Sequence, residues 1–539
     1  MQSSHHETLI QTLQNAALYT HPVTQFQVIE THISWVILTG EFAYKIKKPL
    51  DLGFLDFSTL EKRRYYCHEE LRLNQRLAKP LYLEVVTICG SAQNPTLKTA
   101  PCAHETVIEY AVKMCQFPQS AQLDRLLATE KKGEGETVGV RCMDKLAMQI
   151  NHFHQNIPSA GTNDPFGTAN AVLQPIIENF EQIRALLEQP QQIEQLQRLE
   201  VWMRAFHQRH WNDFQLRKKE GFIRECHGDM HLANMVLLDD EPLIFDCLEF
   251  NDTLRWIDVI SDIAFLVMDL QDRQRSDLAF HFLNAYLERS GDYSGLTLLR
   301  YYLIYRAMVR AKVAVIRLGQ AHIDDVEKKS VWQQYREYIS LAEQYTDQRA
   351  MPVIITHGLS GSGKSIVSQQ LADHYAAIRL RSDVERKRLH GLAANDHSQS
   401  KLGDGLYSTA AGEKTYERLT ELATQVIHAG FPVVIDAAFL KREQREIFRA
   451  LARQLRVPFA ILHVKAPEKL LRKWIEQRSK KGDDASEANI EVLEQQIKYY
   501  RPLSDDEEVY CITVDTQNTI NVDEIILALG RVVSSQANT

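Results

Sequence analysis

Alternating and periodic hydrophobic positions divide the first part of the chain into two helices and three strands. Residues 7–20 carry apolar side chains at helical spacing, and residues 60–77 do so again. Between them, residues 26–30, 33–38 and 42–48 have the composition and alternation of strands, with a Gly-containing turn before the third. This order predicts a small α+β lobe in which one helix packs against a sheet.

The pattern then becomes mainly helical, from about residue 120 to 215 and again from about 271 to 346. Two short apolar strands, 235–238 and 243–245, interrupt the helices and are joined by a polar turn. Farther on, buried strands alternate with helical stretches, and those strands are 352–356, 377–380, 431–436 and 458–464. Such alternation predicts a doubly wound parallel sheet, so the fold class is multi-domain α/β.

The length of the chain requires more than one core. At about 100–200 residues per domain, 539 residues correspond to two to four domains. The hydrophobic pattern places the divisions at 1–118, 119–346 and 347–539. Charged residues at 24% and apolar residues at 44% are near globular averages, so we expect the whole chain to fold.

Charge and cysteine usage narrow the classes of partner. A net charge of −8 and a pI of about 6.2 argue against a broad nucleic-acid or membrane surface and favour small metabolites. The eight cysteines form no C-x-x-C pair, and the first residues lack the basic and apolar regions of a signal peptide. We therefore expect a cytoplasmic protein; its oligomeric state is not indicated.

The first chemical motif is the loop from Cys226 to Asn234, completed by Asp246 after the two short strands. Asp229, Asn234 and Asp246 are three oxygen-bearing side chains at the ends of one predicted hairpin. Phosphoryl transfer from ATP needs a base for the attacking hydroxyl and hard ligands for Mg²⁺. Asp229 is the predicted base, and Asn234 and Asp246 are the predicted metal ligands. Taken singly, each is also an ordinary turn residue.

A lysine on the third strand is the candidate phosphate ligand. The two-residue period places Lys45 and Lys47 on the same face, and Lys45 is the preferred one. A helix glutamate should pair with this lysine to orient it, and Glu70 is favoured over Glu69. The alternatives are an exposed edge-strand lysine and a solvated helix glutamate.

The sequence His227-Gly228-Asp229 followed by Asn234 resembles the H-G-D-x-x-x-x-N loop of the aminoglycoside phosphotransferase family. The chain is similar over nearly its whole length to a bacterial subgroup of that family that is often fused to an ATP-binding domain. The resemblance implies an amino-terminal bilobal protein-kinase-like fold, with adenine held by backbone groups near 109–111. It also implies that Asp258 braces the catalytic loop, with Asp262 at a second matching position. A Gly-rich phosphate loop is missing, as in many aminoglycoside kinases.

The second motif is a complete phosphate-binding loop between a buried strand and a helix, the context that confirms it. Its backbone N–H groups should cradle phosphate, the lysine should neutralise it, and the last serine should bind Mg²⁺. The residues concerned are Gly358, Ser360, Gly361, Ser362, Gly363, Lys364 and Ser365.

Further candidates lie at the carboxyl ends of the later strands, where doubly wound sheets bind ligands. Asp383 is the predicted base for a second acceptor and, with Arg386, resembles the D-x-x-R pair of polynucleotide 5′-hydroxyl kinases. Asp436 is a predicted Mg²⁺ ligand, and Arg472 and Arg478 are predicted lid arginines that contact nucleotide. A helix cap and surface arginines are the ordinary alternatives.

These motifs predict an ATP- and Mg²⁺-dependent phosphotransferase with two nucleotide sites that acts on hydroxyl groups of small molecules. In one alternative, one of the two heads binds nucleotide only to regulate the other. In another, the second head phosphorylates a nucleic-acid 5′-hydroxyl, for which a basic cluster would supply phosphate contacts. That cluster consists of Arg379, Arg381, Arg386, Lys387 and Arg388.

Overall fold

A computed structural model of the chain forms two compact units. It describes residues 2–53, 55–100, 105–130, 136–318, 324–347, 351–393, 396, 408–481 and 489–537. The first unit comprises Met1–Lys145, His152–Pro175 and Phe214–Leu266, and the second comprises Leu146–Asn151, Ile176–Asp213 and Val267–Thr539. The second unit thus includes helices that precede the division expected at residue 346. The predicted division into domains 1–118, 119–346 and 347–539 stays a prediction.

An antiparallel sheet with the order β1-β2-β3-β6-β4-β5 begins the first unit. Its strands are β1 (Gln27–Glu30), β2 (Ser34–Leu38), β3 (Phe42–Lys47), β4 (Tyr82–Gly90), β5 (Pro95–Lys98) and β6 (Val107–Cys115). Strands β4 and β5 were not predicted from the sequence. Residues 85–89 of β4 are all buried or nearly so, and such a strand lacks the alternation that marks a half-exposed one.

The two faces of this sheet have different partners because side chains alternate along β3. Tyr44 and Ile46 join an apolar cluster with Leu9 of helix α1 (Gln2–Thr12), which ends earlier than predicted, and with Leu13 directly after it. Lys45 and Lys47 lie on the opposite face, toward helix α2 (Leu60–Asn74). Strand β3 is therefore fixed by an apolar cluster on one side, while its other side is available for charged groups.

The rest of the first unit supports the predicted catalytic loop, from Cys226 to Asn234, on two small β-ladders. Strands β8 (Met235–Leu238) and β9 (Glu241–Ile244) form a hairpin, and β7 (Ile223–Glu225) pairs with β10 (Trp256–Asp258). Asp239 and Asp240 in the hairpin turn have φ of 50° and 64°, which is the requirement of a type I′ turn. The hairpin therefore sets the spacing between Asn234 and Asp246, as the sequence predicts.

Helices occupy most of the middle of the chain. They are α3 (Leu123–Thr129), α4 (Val140–Asn156), α5 (Ala169–Arg184), α6 (Pro190–Arg209), α7 (Trp211–Lys219), α8 (Asp252–Arg255), α9 (Val259–Asp272), α10 (Ser276–Ser290), α11 (Leu296–Leu318) and α12 (Asp325–Gln344). Short 3₁₀ turns occur at Ala16–Leu18, Gln119–Ala121, Leu232–Asn234 and Tyr293–Gly295. Among the helices of the described ranges, none combines the length and the hydropathy that a membrane span needs.

The second unit contains a parallel sheet with the order β12-β13-β11-β14-β15. Its strands are β11 (Val353–His357), β12 (Ile378–Arg381), β13 (Val433–Asp436), β14 (Phe459–Lys465) and β15 (Cys511–Asp515). Its helices are α13 (Lys364–Tyr375), α14 (Ser382–Leu389), α15 (Thr409–His428), α16 (Arg442–Leu455), α17 (Glu468–Lys481), α18 (Ile490–Tyr499), α19 (Asp505–Glu508) and α20 (Val522–Ala537). This arrangement confirms the predicted doubly wound α/β fold.

Strand β12 lies at the edge of the parallel sheet, and helix α10 covers that edge. The buried amide of Asn284 accepts a hydrogen bond from the backbone N–H of Arg379 (2.7 Å) and donates one to the carbonyl of Ala377 (2.9 Å). Edge strands carry backbone groups that need such partners when they are not in water. One side chain of α10 therefore takes the place of a neighbouring strand.

We predict that Asn284→Ala destabilises the second unit by about 2 kcal/mol, because two buried backbone groups lose their partners. Differential scanning calorimetry should show a lower unfolding midpoint for this unit. Arg289→Ala, on an exposed position of the same helix, is the matched control and should change the midpoint little. Equal midpoints for the two variants would contradict this account of the edge.

Candidate active sites

The first candidate site is built around the amine of Lys45. Its Nζ lies 2.8 Å from Oε1 of Glu70 and 2.6 Å from Oδ1 of Asp246. Strand β3, helix α2 and the segment after β9 each supply one of these three groups. The pair expected between the strand lysine and Glu70 is therefore present, and Asp246 joins it.

The neighbouring Lys47 occupies a second, wholly buried position. Its Nζ lies 2.5 Å from the other carboxylate oxygen of Glu70 and also contacts Oε1 of Glu249. The side chain of Lys47 has no solvent exposure, whereas that of Lys45 is 12% exposed. The geometry thus favours Lys45 as the phosphate ligand and gives Lys47 a structural position. Glu69, the rival of Glu70, pairs instead with Arg72.

Opposite charges dominate the electrostatics of this cluster. Burial alone would lower the pKa of Lys45, but Asp246 and Glu70 raise it well above its ordinary value. Burial would raise the pKa of Glu70, but the two lysines lower it to about 2. Burial raises the pKa of Glu249, against the influence of Lys47. Lys45 and Glu70 are therefore charged at neutral pH, as phosphate binding requires.

Asp246 has an unusual backbone conformation. Its φ of 63° lies in the left-handed region, which is costly for a residue with a side chain and often marks a functional position. Its backbone N–H donates to the hydroxyl of Tyr82 (3.3 Å), and the next N–H, of Cys247, donates to Oδ1 of Asn74 (2.9 Å). Tyr82 and Asn74 thus hold the turn that directs a 44%-exposed carboxylate. Neither residue was singled out from the sequence.

The catalytic loop brings Asp229 and Asn234 together through the 3₁₀ turn between them. Nδ2 of Asn234 donates to Oδ2 of Asp229 (3.0 Å) and to its carbonyl (3.0 Å). Nε2 of His231 lies 3.4 Å from the same Oδ2. The Asp229 side chain is 30% exposed, so it is held in place and accessible to an acceptor.

His227 is a neutral support for this loop. Its Nε2 donates to the carbonyl of Phe245 (3.0 Å), which fixes the tautomer and leaves Nδ1 to accept from the N–H of Asp229 (3.3 Å). Burial lowers the pKa of His227, although Asp262 and Asp229 oppose this. The imidazole therefore links the catalytic loop to the segment that carries Asp246.

The carboxylate that braces the loop is Asp262, and the expectation for Asp258 is wrong. Asp262 accepts from the N–H groups of His227 (3.0 Å) and Gly228 (2.8 Å), and Nε2 of His154 lies 3.2 Å from it. Asp258 forms an ion pair with Arg217 at 2.5 Å instead. Asp258 ends strand β10 and faces helix α7, whereas Asp262 lies one helical turn farther on, beneath the loop.

The second candidate site is the loop between β11 and α13. A Cβ at Gly358 would lie 2.2 Å from the carbonyl oxygen of Val464, so this position accepts only glycine. Gly363 has a φ of 86° immediately before α13, where the left-handed region again favours glycine. The loop therefore leads directly into the amino terminus of α13, the kind of position at which proteins bind phosphate.

Lys364 lies among charges contributed by three other elements. Its Nζ donates to the carbonyl of Leu359 (2.8 Å). Burial lowers the pKa of Lys364 to about 8; Asp436 and Asp383 raise it, and Arg478 lowers it further. The predicted base, metal ligand and one lid arginine are thus all close enough to influence this lysine electrostatically.

Two features of the loop were not predicted. The N–H of Ser360 donates to Oε1 of Gln496 on α18 (2.7 Å), so a side chain occupies a donor next to the phosphate cradle. The hydroxyl of Thr516 donates to the carbonyl of Ser362 (2.9 Å). Gln496 and Thr516 are distant in sequence and belong to no motif, so no local signal indicates them.

The two predicted lid arginines lie in different surroundings. Arg478 lies near Lys364, as described above. Arg472 is on the outer side of α17, paired with Glu468 (2.8 Å) and Glu494 (3.2 Å). Its role as a lid arginine stays a prediction, and it would require these exposed pairs to open.

The basic cluster around Asp383 is neutralised within the second unit. Arg386 pairs with Asp383 (2.9 Å), Arg388 pairs with Glu385, and Lys387 is 2% exposed. Arg379 and Arg381 both contact Glu288 of α10, at 3.2 and 2.8 Å. These contacts use the charges that a nucleic-acid backbone would need, which disfavours the polynucleotide alternative.

The residues present fit a hard divalent cation in both sites. In the second, Oδ2 of Asp436 is buried without a hydrogen-bond partner, and Ser365, which carries a hydroxyl, is the second residue of the helix after the loop. In the first, Asp246 offers a carboxylate next to Lys45, and Asn234 offers an amide at the end of the 3₁₀ turn after Asp229. Oxygen ligands of this kind are those that Mg²⁺ prefers.

Family models match both parts of the chain. The model of the phosphotransferase enzyme family matches residues 119–299, and a model described as an AAA domain matches residues 353–503. Together with the fold and the two sites, these matches define a protein with two kinase-type domains, an ATP-dependent phosphotransferase that acts on small molecules.

The similarity to related proteins extends over most of the chain. Uncharacterized proteins from Mycobacterium tuberculosis (strain ATCC 25618 / H37Rv) and Mycobacterium bovis (strain ATCC BAA-935 / AF2122/97) are each 30% identical over 435 residues, which cover 80% of this chain and 82% of the relative. The chain belongs to the family in which an aminoglycoside-phosphotransferase-like domain is fused to a P-loop kinase domain. This confirms the resemblance drawn from the motifs.

Some solved structures are similar to about two thirds of the chain and others to about one third. The amicoumacin kinase hAmiN, in complex with AMP-PNP, Ca²⁺ and Ami, is 15% identical with a TM-score of 0.40, covering 63% of this chain and 96% of its own. A gluconokinase from Sinorhizobium meliloti 1021 is 20% identical with a TM-score of 0.24, covering 35% of this chain and 94% of its own.

We predict different consequences for the two strand lysines. Lys47→Met leaves Glu249 and one side of Glu70 buried without a cation, so it should destabilise the first unit by about 3–5 kcal/mol. Lys45→Met should weaken ATP binding at the first site, measured by calorimetry in a Lys364→Ala background. Lys48→Met, which removes a pair with the exposed Glu30, is the control and should change neither quantity much. Equal destabilisation by Lys45→Met and Lys47→Met would contradict the division of roles.

A second prediction concerns the pH dependence of the P-loop site. With a pKa of about 8, Lys364 is about half protonated at pH 8, and a bound polyphosphate raises its pKa. Nucleotide binding at pH 8 should therefore take up about half a proton, and affinity should fall as the pH rises through this value. Calorimetry in buffers of different ionisation enthalpy measures the uptake in a Lys45→Met background. Uptake that persists unchanged in Lys364→Arg would assign the proton to another group.

Proposed function

We propose that each of the two sites transfers the γ-phosphoryl group of ATP to a hydroxyl of its own small-molecule acceptor. In this proposal Asp229 is the base of the first head, and Asp383 is the base of the second. The observation that carries it is the pairing of Lys45 with Glu70 and Asp246 and of Asn234 with Asp229, together with a complete phosphate loop in a second segment of the chain.

In the first head, the acceptor hydroxyl would lie against the exposed side of Asp229. Its oxygen forms a bond to the γ-phosphorus, its proton passes to the Asp229 carboxylate, and the bond from the γ-phosphorus to the bridging oxygen breaks to release ADP. Lys45, held by Glu70, neutralises phosphate charge. Mg²⁺ held by Asn234 and Asp246 would supply further neutralisation of the phosphates.

In the second head, the phosphate loop and Lys364 would hold the nucleotide. Asp383 is the second residue of α14, which directly follows β12, and its side chain is 29% exposed while paired with Arg386. Asp436 and Ser365 would hold Mg²⁺, which would offset charge on the phosphates there. Arg478 is the arginine best placed to contact a transferring phosphoryl group, because it is close enough to Lys364 to influence it.

A purely regulatory first head is the main alternative, and it is less well supported. The short turn between β1 and β2 contains no glycine, so a phosphate-covering loop is missing there. A nucleotide sensor, however, needs no base, whereas Asp229 is held by Asn234 and left accessible. The cluster therefore favours catalysis in the first head.

Single substitutions should separate the two activities. Asp229→Asn should abolish phosphorylation of one set of hydroxyl compounds and Lys364→Ala that of another, each by a factor of about 10² or more. Transfer from γ-labelled ATP into a metabolite panel, followed by product separation, measures both. Asp239→Asn on the exposed hairpin turn and Lys473→Ala on α17 are the matched controls and should leave both activities unchanged. Loss of all products from either active-site change would count against two independent heads.

A further inference from the structure

Glu288 of helix α10 contacts two arginines that approach the predicted metal ligands of the P-loop head, although it precedes the phosphate loop by many residues. It belongs to the segment that matches the phosphotransferase enzyme family, residues 119–299. Both Glu288 and the phosphate loop are part of the second compact unit. Its side chain is only 14% exposed, so its charge requires partners within the protein.

Two arginines of strand β12 are those partners. Oε1 of Glu288 accepts from Nη1 of Arg381 at 2.8 Å, and Oε2 accepts from Nη2 of Arg379 at 3.2 Å. Burial would raise the pKa of Glu288, but these two guanidinium groups lower it, so the carboxylate is ionised at neutral pH. The three side chains form a fixed arrangement with two cations around one anion.

Each arginine also reaches a predicted ligand of Mg²⁺. Nη1 of Arg379 donates to the carbonyl of Ser365 (3.1 Å), and Nε of Arg381 lies 4.0 Å from Oδ2 of Asp436. That oxygen is buried and has no hydrogen bond, so it is a ready acceptor. A guanidinium and a divalent cation compete for the same carboxylate, because both bind through its oxygens.

We propose that Glu288 is a positioning residue of the P-loop head, which holds Arg381 back from Asp436 and so keeps that carboxylate available to Mg²⁺. The inference rests on the proposed function of this head. Without the anion at 288, Arg381 would lose its acceptor at 2.8 Å, while Oδ2 of Asp436 lies 4.0 Å from its Nε, so Mg²⁺ would have to compete with the guanidinium for that carboxylate.

The test uses full-length protein with Lys45→Met, so that only the P-loop head binds nucleotide. The measured quantity is the Mg²⁺ concentration at half-maximal binding of a fluorescent ATP analogue, compared for Glu288→Gln, Arg381→Gln and the double variant. Arg289→Gln, which removes a charge from an exposed neighbouring position, is the control. Melting temperature is recorded for each variant.

We expect Glu288→Gln to raise the Mg²⁺ midpoint about tenfold, the usual order for loss of a group that orients a metal ligand. Adding Arg381→Gln should bring the midpoint back to within about twofold of the parent, because the competing cation is gone. A merely structural role for Glu288 would not be rescued by removing its partner.

Two results would overturn the inference. One is an unchanged Mg²⁺ midpoint in Glu288→Gln, and the other is a double variant that stays as impaired as Glu288→Gln alone. If Glu288→Gln unfolds, the double variant decides the matter by the same comparison with Arg381→Gln. A parent protein without any metal-dependent nucleotide binding would refute the proposed function of the head, and this inference with it.

Discussion

The amino-terminal site depends on one buried carboxylate that two lysines share. Glu70 has no solvent exposure, and an isolated charge in such a place would be neutralised or expelled. Its two oxygens each meet a different lysine of β3, so the helix and the strand are locked in register by charge rather than by apolar contact alone. Asp246 and Glu249 then close the cluster from the segment after β9. Three separate parts of the chain are therefore positioned by a single electrostatic requirement.

The sequence could predict the residues of this site that lie in local motifs, but not the contacts between residues that are far apart along the chain. Lys45, Asp229, Asn234 and Asp246 lie in short segments whose hydrophobic pattern indicates their orientation, and the structure pairs Lys45 with Asp246 and Asn234 with Asp229. Tyr82 and Asn74 also hold Asp246, but they act through backbone groups far away in sequence. Backbone contacts leave no residue-type signal, so they were not predicted. The choice between Asp258 and Asp262 failed for a related reason, since both are aspartates near one helix start and only packing distinguishes them.

Prediction from the sequence meets the same limit in the second unit, where contacts between distant residues again decide the outcome. Its strands, loop and first helix were predictable because hydrophobic alternation and the glycine spacing are local. The charge of residues 379–388 was misleading, because a basic stretch indicates a surface patch only if its partners are absent. For Arg379 the partner is Glu288, separated by 91 positions. Only the fold brings this anion to the cations, and only the fold shows that the stretch is largely neutralised.

The cover that Asn284 provides over strand β12 has a consequence for how such a chain can arise and be divided. Its amide satisfies one backbone N–H and one carbonyl at the sheet edge, so the parallel sheet is not complete within the segment that matches the AAA-domain model. A gene split at the junction would expose a pairing edge that invites self-association. The segment before the junction therefore contributes a structural element, helix α10, to the sheet of the segment after it, in addition to the covalent link between them. A lineage that lost the first region would need a new cap, or a proline or lysine at this edge, before the remainder could exist as a monomer.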